Sequence, residues 1–504
     1  MKKLFALLKK IDENLIKYFV YFYIFFIPLM PKFPFKGIDY TYLKFRYDDL
    51  FIALFVGVFF IQLIRKKIEF NRKFFMLFVV FWLVVFLSSN YAVFIAKNLR
   101  FKHLAFLHSF RRIQYMFPFF VGLSVVKSQK DFFNYLKAIF ISLLIVTVYG
   151  IGQKFLGWPA VQTMNPEYAL GHLLVLSPEA RVSSTFAGHY DLAAYLIFLI
   201  PILYGFYFFK HKVGYIFLFV FSLFVMILTA SRVSFGAYLM SFLTFLLFLR
   251  KFKHLAFVII LTLIFTFMNN NLTSRIKRTF QIKRIFVNEQ TGQVVIPQKS
   301  TIKELPAGSF YIPIQGGTAT NAQIISDKSL AREKILSDIR WEASRSGKVL
   351  TKSQEEAILA TISAGLRPIS TIVSDISLAT RLQIEWPRAI TAFIMNPLLG
   401  TGPSSITEAT DNDYLRWLGE TGFLGFASFL FIIFSITQLI FKSLKNMDQK
   451  TKYIYYGFLF GLFGLMINAG WIDVFEASKV AYIFWITAGI FIGSLTIKPI
   501  YEKK

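Results

Sequence analysis

The chain has 504 residues, 56% of them hydrophobic, with 62 Phe and a formal charge of +28. That much Phe would give a soluble domain more exposed apolar surface than water tolerates, so the composition points to a multi-span membrane protein. Cysteine is absent, which excludes disulfides, thiolate catalysis and Cys-ligated metals, and the positive charge reads as the Lys/Arg bias of membrane loops rather than a nucleic-acid footprint.

Along the chain, Lys2, Lys3, Lys9 and Lys10 precede the first apolar run, and no small-residue cleavage site follows it. The run reads as a first span rather than a signal peptide. Apolar stretches long enough to cross a bilayer fall near 15–31, 48–64, 74–95, 105–126, 135–156, 190–209, 213–230, 233–249, 252–268, 419–441, 453–470 and 479–497, about 12 spans, each helical because lipid offers no partner to an open backbone. One set of loops collects Arg65-Lys66-Lys67, Lys210 with Lys212, Arg250-Lys251, Lys442 through Lys452, and Lys503-Lys504. That side is expected to be cytoplasmic and to hold both termini. The stretch 96–112 breaks the rule: it is expected outside, yet carries Lys97, Arg100, Lys102, Arg111 and Arg112 and no acid. Either the topology differs there or the stretch binds an anion.

The expected architecture is therefore an all-α polytopic membrane protein in three parts. Residues 1–268 form a membrane part of about nine spans. Residues 269–388 form a large extracytoplasmic insert. Residues 389–504 hold a re-entry motif and the last three spans. In the insert, Val294-Val295-Ile296 and Phe310-Tyr311-Ile312 look like short strands broken by Pro297, Pro306 and Pro313. Residues 327–363 look helical, with Leu330, Ile335 and Ile339 at helical spacing.

Five segments bear chemistry. Arg46-Tyr47-Asp48-Asp49 opens the second span; the acids suit either the helix dipole or an acidic metal motif. Arg181 through His189-Tyr190 enters the sixth span with a cation, hydroxyls and an imidazole together. Thr229-Ala230-Ser231-Arg232 separates two spans, where an arginine either snorkels or aims a fixed guanidinium at a phosphate. Asn396-Pro397-Leu398-Leu399-Gly400-Thr401-Gly402-Pro403 is turn chemistry, and its glycines could also bare backbone N–H groups to an anion. Asp411-Asn412-Asp413-Tyr414-Leu415 opens the next span as a cap or as a proton-accepting carboxylate. Trp386, Trp417 and Trp471 suit belt anchoring or sugar stacking. No HExxH, Walker loop or strand-borne GxGxxG is present, and no metal ligand or cofactor site is nominated.

Taken in order, Arg181 through His189, Thr229 through Arg232, Arg381 with Trp386 ahead of Asn396 through Gly402, and Asp411 through Leu415 with Glu420-Thr421-Gly422 resemble the O-antigen ligase and polymerase (Wzy-type) family of bacterial envelope enzymes. The family-like core covers about 213–432. The resemblance implies a GT-C-like, metal-independent, inverting glycosyltransferase without cofactor in the bacterial cytoplasmic membrane. Its donor would be an undecaprenyl-pyrophosphate-linked glycan and its acceptor a sugar hydroxyl, in surface polysaccharide synthesis. It implies functional arginines at Arg232 and at Arg381 or Arg388. Ligases of the family carry a histidine before the Asn-x-Tyr-Leu segment; this chain has Asp411 there, which favours a polymerase or another envelope-glycan transferase. Asp411, Arg232, Arg381 and His189 are the catalytic candidates. Arg181, Arg388, Arg111, Arg112, Gly400, Gly402, Asn412, Tyr414 and Glu420 are the substrate-binding ones. A polysaccharide flippase and a non-catalytic envelope scaffold are the rival readings.

Overall fold

The computed structural model describes residues 11–38, 41, 44–163, 168–288, 294–295, 321–345, 350–363, 366–374, 376–406 and 410–497. Lys2, Lys3, Lys9, Lys10, Pro297, Pro306, the Phe310-Tyr311-Ile312 run, Pro313, Lys503 and Lys504 lie outside the described residues. The chain forms two compact units, 1–273 with 388–504 and 274–387.

The first unit is a helical bundle. In chain order it holds α1 (Leu15–Leu29), a hairpin of β1 (Pro34–Gly37) and β2 (Lys44–Arg46), α2 (Tyr47–Ile64), α3 (Arg72–Ile95), α4 (Lys102–Met116), α5 (Pro118–Val125), α6 (Gln129–Phe155), α7 (His189–Lys210), α8 (Gly214–Leu228), α9 (Arg232–Phe248) and α10 (Phe252–Met268). After the insert come the rest of the helix Trp386–Met395, then Asp413–Leu444, Gln449–Ala469 and Ser478–Thr496. Among the described residues, six helices are long and apolar enough to cross a membrane, seven if the bent pair Phe252–Met268 and Asn270–Lys277 is one span. The expected spans outnumber these because several are built from shorter pieces. The 105–126 stretch is two helices that meet at Pro118, where the missing N–H suits a helix start. The 233–249 stretch contains a π-helical turn, Leu239–Leu243.

The second unit contains α11 (Asn270–Arg278, which enters it at Ser274), β3 (Phe280–Asn288), β4 (Val294–Val295), α12 (Asn321–Arg345), α13 (Lys352–Ser363), β5 (Leu366–Ser374) and α14 (Ile376–Thr380). Its antiparallel sheet runs β4-β3-β5, with Phe280 opposite Ser374 and Asn288 opposite Leu366. The chain is mostly helical, consistent with the expected all-α membrane protein, and among the described residues its strands are confined to this sheet and the β1–β2 hairpin. β5 escaped the sequence reading because Pro368 and the flanking polar residues hide its apolar run; its partner β3 lies some 90 residues upstream. Ile335 and Ile339 face the sheet-side core with Phe286, Ala331 and Leu359.

We label the last helices α15 (Trp386–Met395), α16 (Asp413–Leu444), α17 (Gln449–Ala469) and α18 (Ser478–Thr496). α7 and α18 are the innermost helices of the bundle, and they are apolar all round, as a helix without a solvent or lipid face should be. Backbones meet closely through glycines, the usual device where lipid removes the hydrophobic drive between helices. On α17, a Cβ at Gly457 or Gly461 would stand 2.4 Å from the Pro201 carbonyl oxygen or 2.3 Å from that of Phe198 on α7. On α18, one at Gly489 would stand 2.1 Å from the Phe119 oxygen of α5. Small residues thus occupy one side of α17, and its bulky side chains are left to the other.

This packing yields a paired test. Gly461→Leu should lower stability by about 1–3 kcal/mol or more by overpacking, whereas Gly236→Ala, where a Cβ meets nothing within 4 Å, should be neutral or stabilising by about 0.5–1 kcal/mol. Thermal unfolding in detergent compares the two.

Candidate functional site

The motifs gather at one end of the bundle. α15 ends at Met395, and Asn396 turns the chain: its Oδ1 accepts the Leu399 N–H at 3.2 Å and its carbonyl accepts the Gly400 N–H at 2.8 Å. The turn then pairs with an unwound stretch of α16. Thr401 N–H donates to Gly419 O at 2.9 Å, Gly402 N–H to Glu420 O at 3.0 Å and Phe423 N–H to Pro397 O at 2.8 Å. Gly422, at φ 64 and ψ −168, breaks the helix, and a Cβ there would lie 2.3 Å from the Leu398 backbone. Backbone groups released by the break are therefore satisfied by the turn, as a membrane interior requires. The N–H groups of Gly400 and Gly402 are consumed in this stitching, which corrects the expectation that they stand bare for an anion.

Ahead of the break, two carboxylates exchange backbone contacts. Asp473, in the loop between α17 and α18, accepts N–H bonds from Thr410 at 3.1 Å, Asp411 at 3.3 Å and Asn412 at 3.3 Å. In return, Asp413 Oδ2 accepts those of Val474 at 2.7 Å and Phe475 at 2.9 Å. Asn412 caps α16 by accepting the Leu415 N–H at 3.0 Å, and its Nδ2 donates to Gly470 O at 2.8 Å. Asp411 sits between them, half-buried, in the left-handed region at φ 49. Tyr414 OH donates to Met466 O at 2.6 Å.

Asn412, Arg416 and Glu420 recur every four residues and share a helix face. Arg416 grips Asp473 through Nη2 at 2.8 Å and Nε at 3.3 Å, and its Nη1 is 3.6 Å from Glu420 Oε1. Arg112 of α4 donates to Glu420 at 2.5 Å and to Glu476 at 2.8 Å. Glu420 also accepts the Ser404 N–H at 3.0 Å. Burial works against the charged form of Asp473, but Arg416 and the three backbone donors outweigh it and hold the carboxyl below its ordinary value. Arg112 and Glu420, expected to bind substrate, are instead locked in this buried network. Asp413, Arg416, Asp473 and Glu476 were not nominated; the two acids of the short loop 471–478 were the only signal for the last pair.

Arg232 opens α9 beside this arrangement. Ser231 Oγ donates to Ser234 Oγ at 2.8 Å, and Ser234 Oγ to Asn468 Oδ1 at 3.1 Å. Asn468 lies two residues before Gly470, the acceptor of Asn412, so the Arg232 turn and the Asp411 segment share the same end of α17. The Arg181 segment joins them: Val182 N–H donates to Leu228 O at 3.3 Å, one residue before Thr229. Arg181 lies over the Tyr190 ring at 5.5 Å. Arg388 is exposed and donates to Ile406 O at 3.3 Å.

Other candidates sit elsewhere or deeper. His189 is only 1% exposed, its ring 4.0 Å from that of Tyr190, so the imidazole does not present itself at the surface. Arg381 belongs to the second unit, where it donates to Ser377 O at 3.4 Å. Trp417 is buried against Phe429 at 3.8 Å, which rules out belt anchoring for it. Arg111 donates to Lys44 O at 3.2 Å. Asp49 accepts the Arg46 N–H at 2.9 Å and Asp48 pairs with Lys32 at 3.2 Å, so the acids that open α2 serve as cap and ion partner. Burial pulls the Lys32 ammonium below its usual range, against the pull of Asp48.

In a comparison with known families, residues 217–430 match the family model described as O-antigen ligase. The matched stretch runs from α8 to α16 and holds Arg232, Asp411 and the whole re-entry turn. A comparison with curated proteins finds no match.

Two outcomes follow from the network. Arg112→Met removes the nearest cation of the buried Glu420 carboxylate, leaving it Arg416 and the Ser404 N–H, and should cost about 3–5 kcal/mol, read by chemical or thermal unfolding. Asp473, whose folded value lies below its ordinary 3.8, contributes fully at neutral pH, and the contribution is lost as the pH falls from about 4 through that lower value. Asp473→Asn should lower stability at neutral pH and flatten this acid limb, measured by melts between about pH 3 and 7.

Proposed function

From the O-antigen ligase domain carried by residues 217–430, which with the apolar helices indicates a bacterial inner-membrane protein of surface polysaccharide biosynthesis, we propose a finer reading. The protein transfers or polymerises a glycan carried on undecaprenyl pyrophosphate, at the outer face of the cytoplasmic membrane. It does so as an inverting, metal-independent transferase of GT-C type, with about 12 spans, both termini cytoplasmic and the 269–388 insert outside. The observation that carries this is the reciprocal Asp473–Asp413 clamp, which fixes Asp411 at the end of the bundle that also bears Arg232.

The chemistry needs two things there. An acceptor hydroxyl attacks the anomeric carbon; the new C–O bond forms as the bond to the diphosphate breaks, and the electron pair leaves with the diphosphate. Arg232 and Arg181 are assigned to that growing charge, with Arg388 at the rim. Fixed donors of this kind are worth roughly 3–4 kcal/mol each. The hydroxyl proton passes to the Asp411 carboxylate. A free aspartate titrates near 3.9 and is a weak base at neutral pH, so the half-buried setting of Asp411 is part of the proposal. A flippase remains the competing class, since broken helices are a transporter habit. Here the break at Gly422 is stitched closed by the 397–402 turn, which suits a rigid site better than a moving one.

Reconstitution with a pyrophosphate-linked oligosaccharide separates the classes: chain growth or transfer marks an enzyme, and movement across the bilayer without transfer overturns the proposal. Asp411→Asn should reduce transfer by about 10²–10⁴-fold while protein still inserts in the membrane. Arg232→Lys should reduce it by roughly 10²-fold, because a point charge does not reproduce the guanidinium fork.

A further inference from the structure

The stretch 96–112 holds Lys97, Arg100, Lys102, Arg111 and Arg112, and no Asp or Glu occurs between Glu69 and Asp131. Two of these cations are spent inside the protein, Arg111 on the Lys44 carbonyl and Arg112 on Glu420 and Glu476. Lys97, Arg100 and Lys102 remain. All three are exposed, and among the described residues no carboxylate pairs with them. Like charges gathered within six residues repel one another and call for a counter-charge from outside the chain.

The three cations sit at the tip that joins α3 to α4, above an apolar surface. On α3, Leu83, Leu87 and Phe94 share a face at helical spacing, and with Ile95 they are 56–70% exposed. On α4, the exposed Phe110 stands edge-on to Phe86 at 5.2 Å, and Phe106 lies 6.4 Å from Phe94. α3 is long and apolar enough to cross a membrane, so its Ile95 end reaches headgroup level and its exposed stripe meets acyl chains. The tip is also held in place. Lys97 turns the chain in the left-handed region at φ 52, and Asn98 Nδ2 donates to Thr401 O at 3.2 Å. Leu99 packs on Gly402, where a Cβ would stand 3.5 Å from it, and Arg100 lies over the Phe101 ring at 5.2 Å.

We propose that the α3–α4 tip is a docking surface for an anionic phospholipid, with the phosphate among Lys97, Arg100 and Lys102 and the acyl chains along the apolar face below. The apolar face alone accepts any acyl chain and selects nothing. Charge makes the choice. A zwitterionic headgroup carries its own ammonium, which finds no carboxylate in this stretch and three cations instead. A headgroup of net negative charge carries none, and each basic residue beside it is worth about fivefold in affinity. Because Asn98 and Leu99 grip the 397–402 turn, the bound lipid braces the backbone that closes the break in α16. The inference requires a membrane protein and nothing of glycan transfer.

The test uses the full-length protein in phosphatidylcholine nanodiscs doped with a trace of phosphatidylglycerol or phosphatidylcholine, each bearing the same diazirine in its acyl chain. After photolysis, the phosphatidylglycerol probe should label the stretch 83–110 about tenfold more than the phosphatidylcholine probe. Lys97→Gln, Arg100→Gln and Lys102→Gln combined should erase that excess, whereas Lys445→Gln with Lys450→Gln, exposed cations of another loop, should leave it intact. Equal labelling of the wild-type protein by the two probes overturns the inference without any variant, and so does an excess that survives the triple substitution. A polyprenyl diphosphate that displaces the phosphatidylglycerol label at equimolar amounts would assign the tip to a diphosphate headgroup and overturns it as well. Labelling is read without turnover, so loss of the enzymatic reading leaves this result standing, and the reverse holds too.

Discussion

A charge inside a membrane protein must find its opposite or a set of hydrogen-bond donors, and the candidate site is built on that constraint. Asp473 accepts the backbone N–H groups of Thr410, Asp411 and Asn412, Asp413 Oδ2 accepts those of Val474 and Phe475, and Arg416, Glu420, Arg112 and Glu476 extend the chain of pairs across to α4. Arg416, Glu420 and Arg112 each pair with two others, and Glu476 pairs with Arg112, which ties the loop after α17, the start of α16 and the middle of α4 together. Asp411 rides on this assembly. A carboxylate on a free loop would lose much of its catalytic value to disorder; one whose neighbours on both sides are pinned is held in place.

The broken α16 serves the same end. Gly422 lets the helix change direction, and the turn 397–402 fills the gap with its own backbone. The break thus brings the re-entry turn, the α16 cap and the charged network into contact without leaving backbone groups unpaired. Below it, α16 and α17 enclose a hollow lined by Phe248, while the glycine side of α17 holds it against α7. Close packing on one side and open space on the other come from one distribution of small and large residues.

The membrane class, most of the apolar helices and the order of the motifs were legible in the chain, because a span needs an uninterrupted apolar run and a turn needs glycine and proline. The family match over 217–430 lies within the stretch where those motifs read together. The roles of single residues were less legible. Arg112 looked like a stray outer cation because its partners, Glu420 and Glu476, lie 308 and 364 residues away. Gly400 and Gly402 looked like anion donors because a sequence shows which residues can bare an N–H, not which carbonyl is waiting for it.

What the sequence determined by itself is therefore local: hydropathy over twenty residues, turn chemistry over four, and the presence of Arg232 and Asp411 at span ends. What only the tertiary structure decided is pairing. Asp473 and Glu476 sit in a short loop with nothing in their neighbourhood to mark them, and folding sets Asp473 against Arg416, 57 positions upstream, and Glu476 against Arg112, 364 positions upstream. Ion pairs and N–H contacts act over a few ångströms of space and carry no signature along the chain, so the site's identity was written in the sequence but its architecture was not.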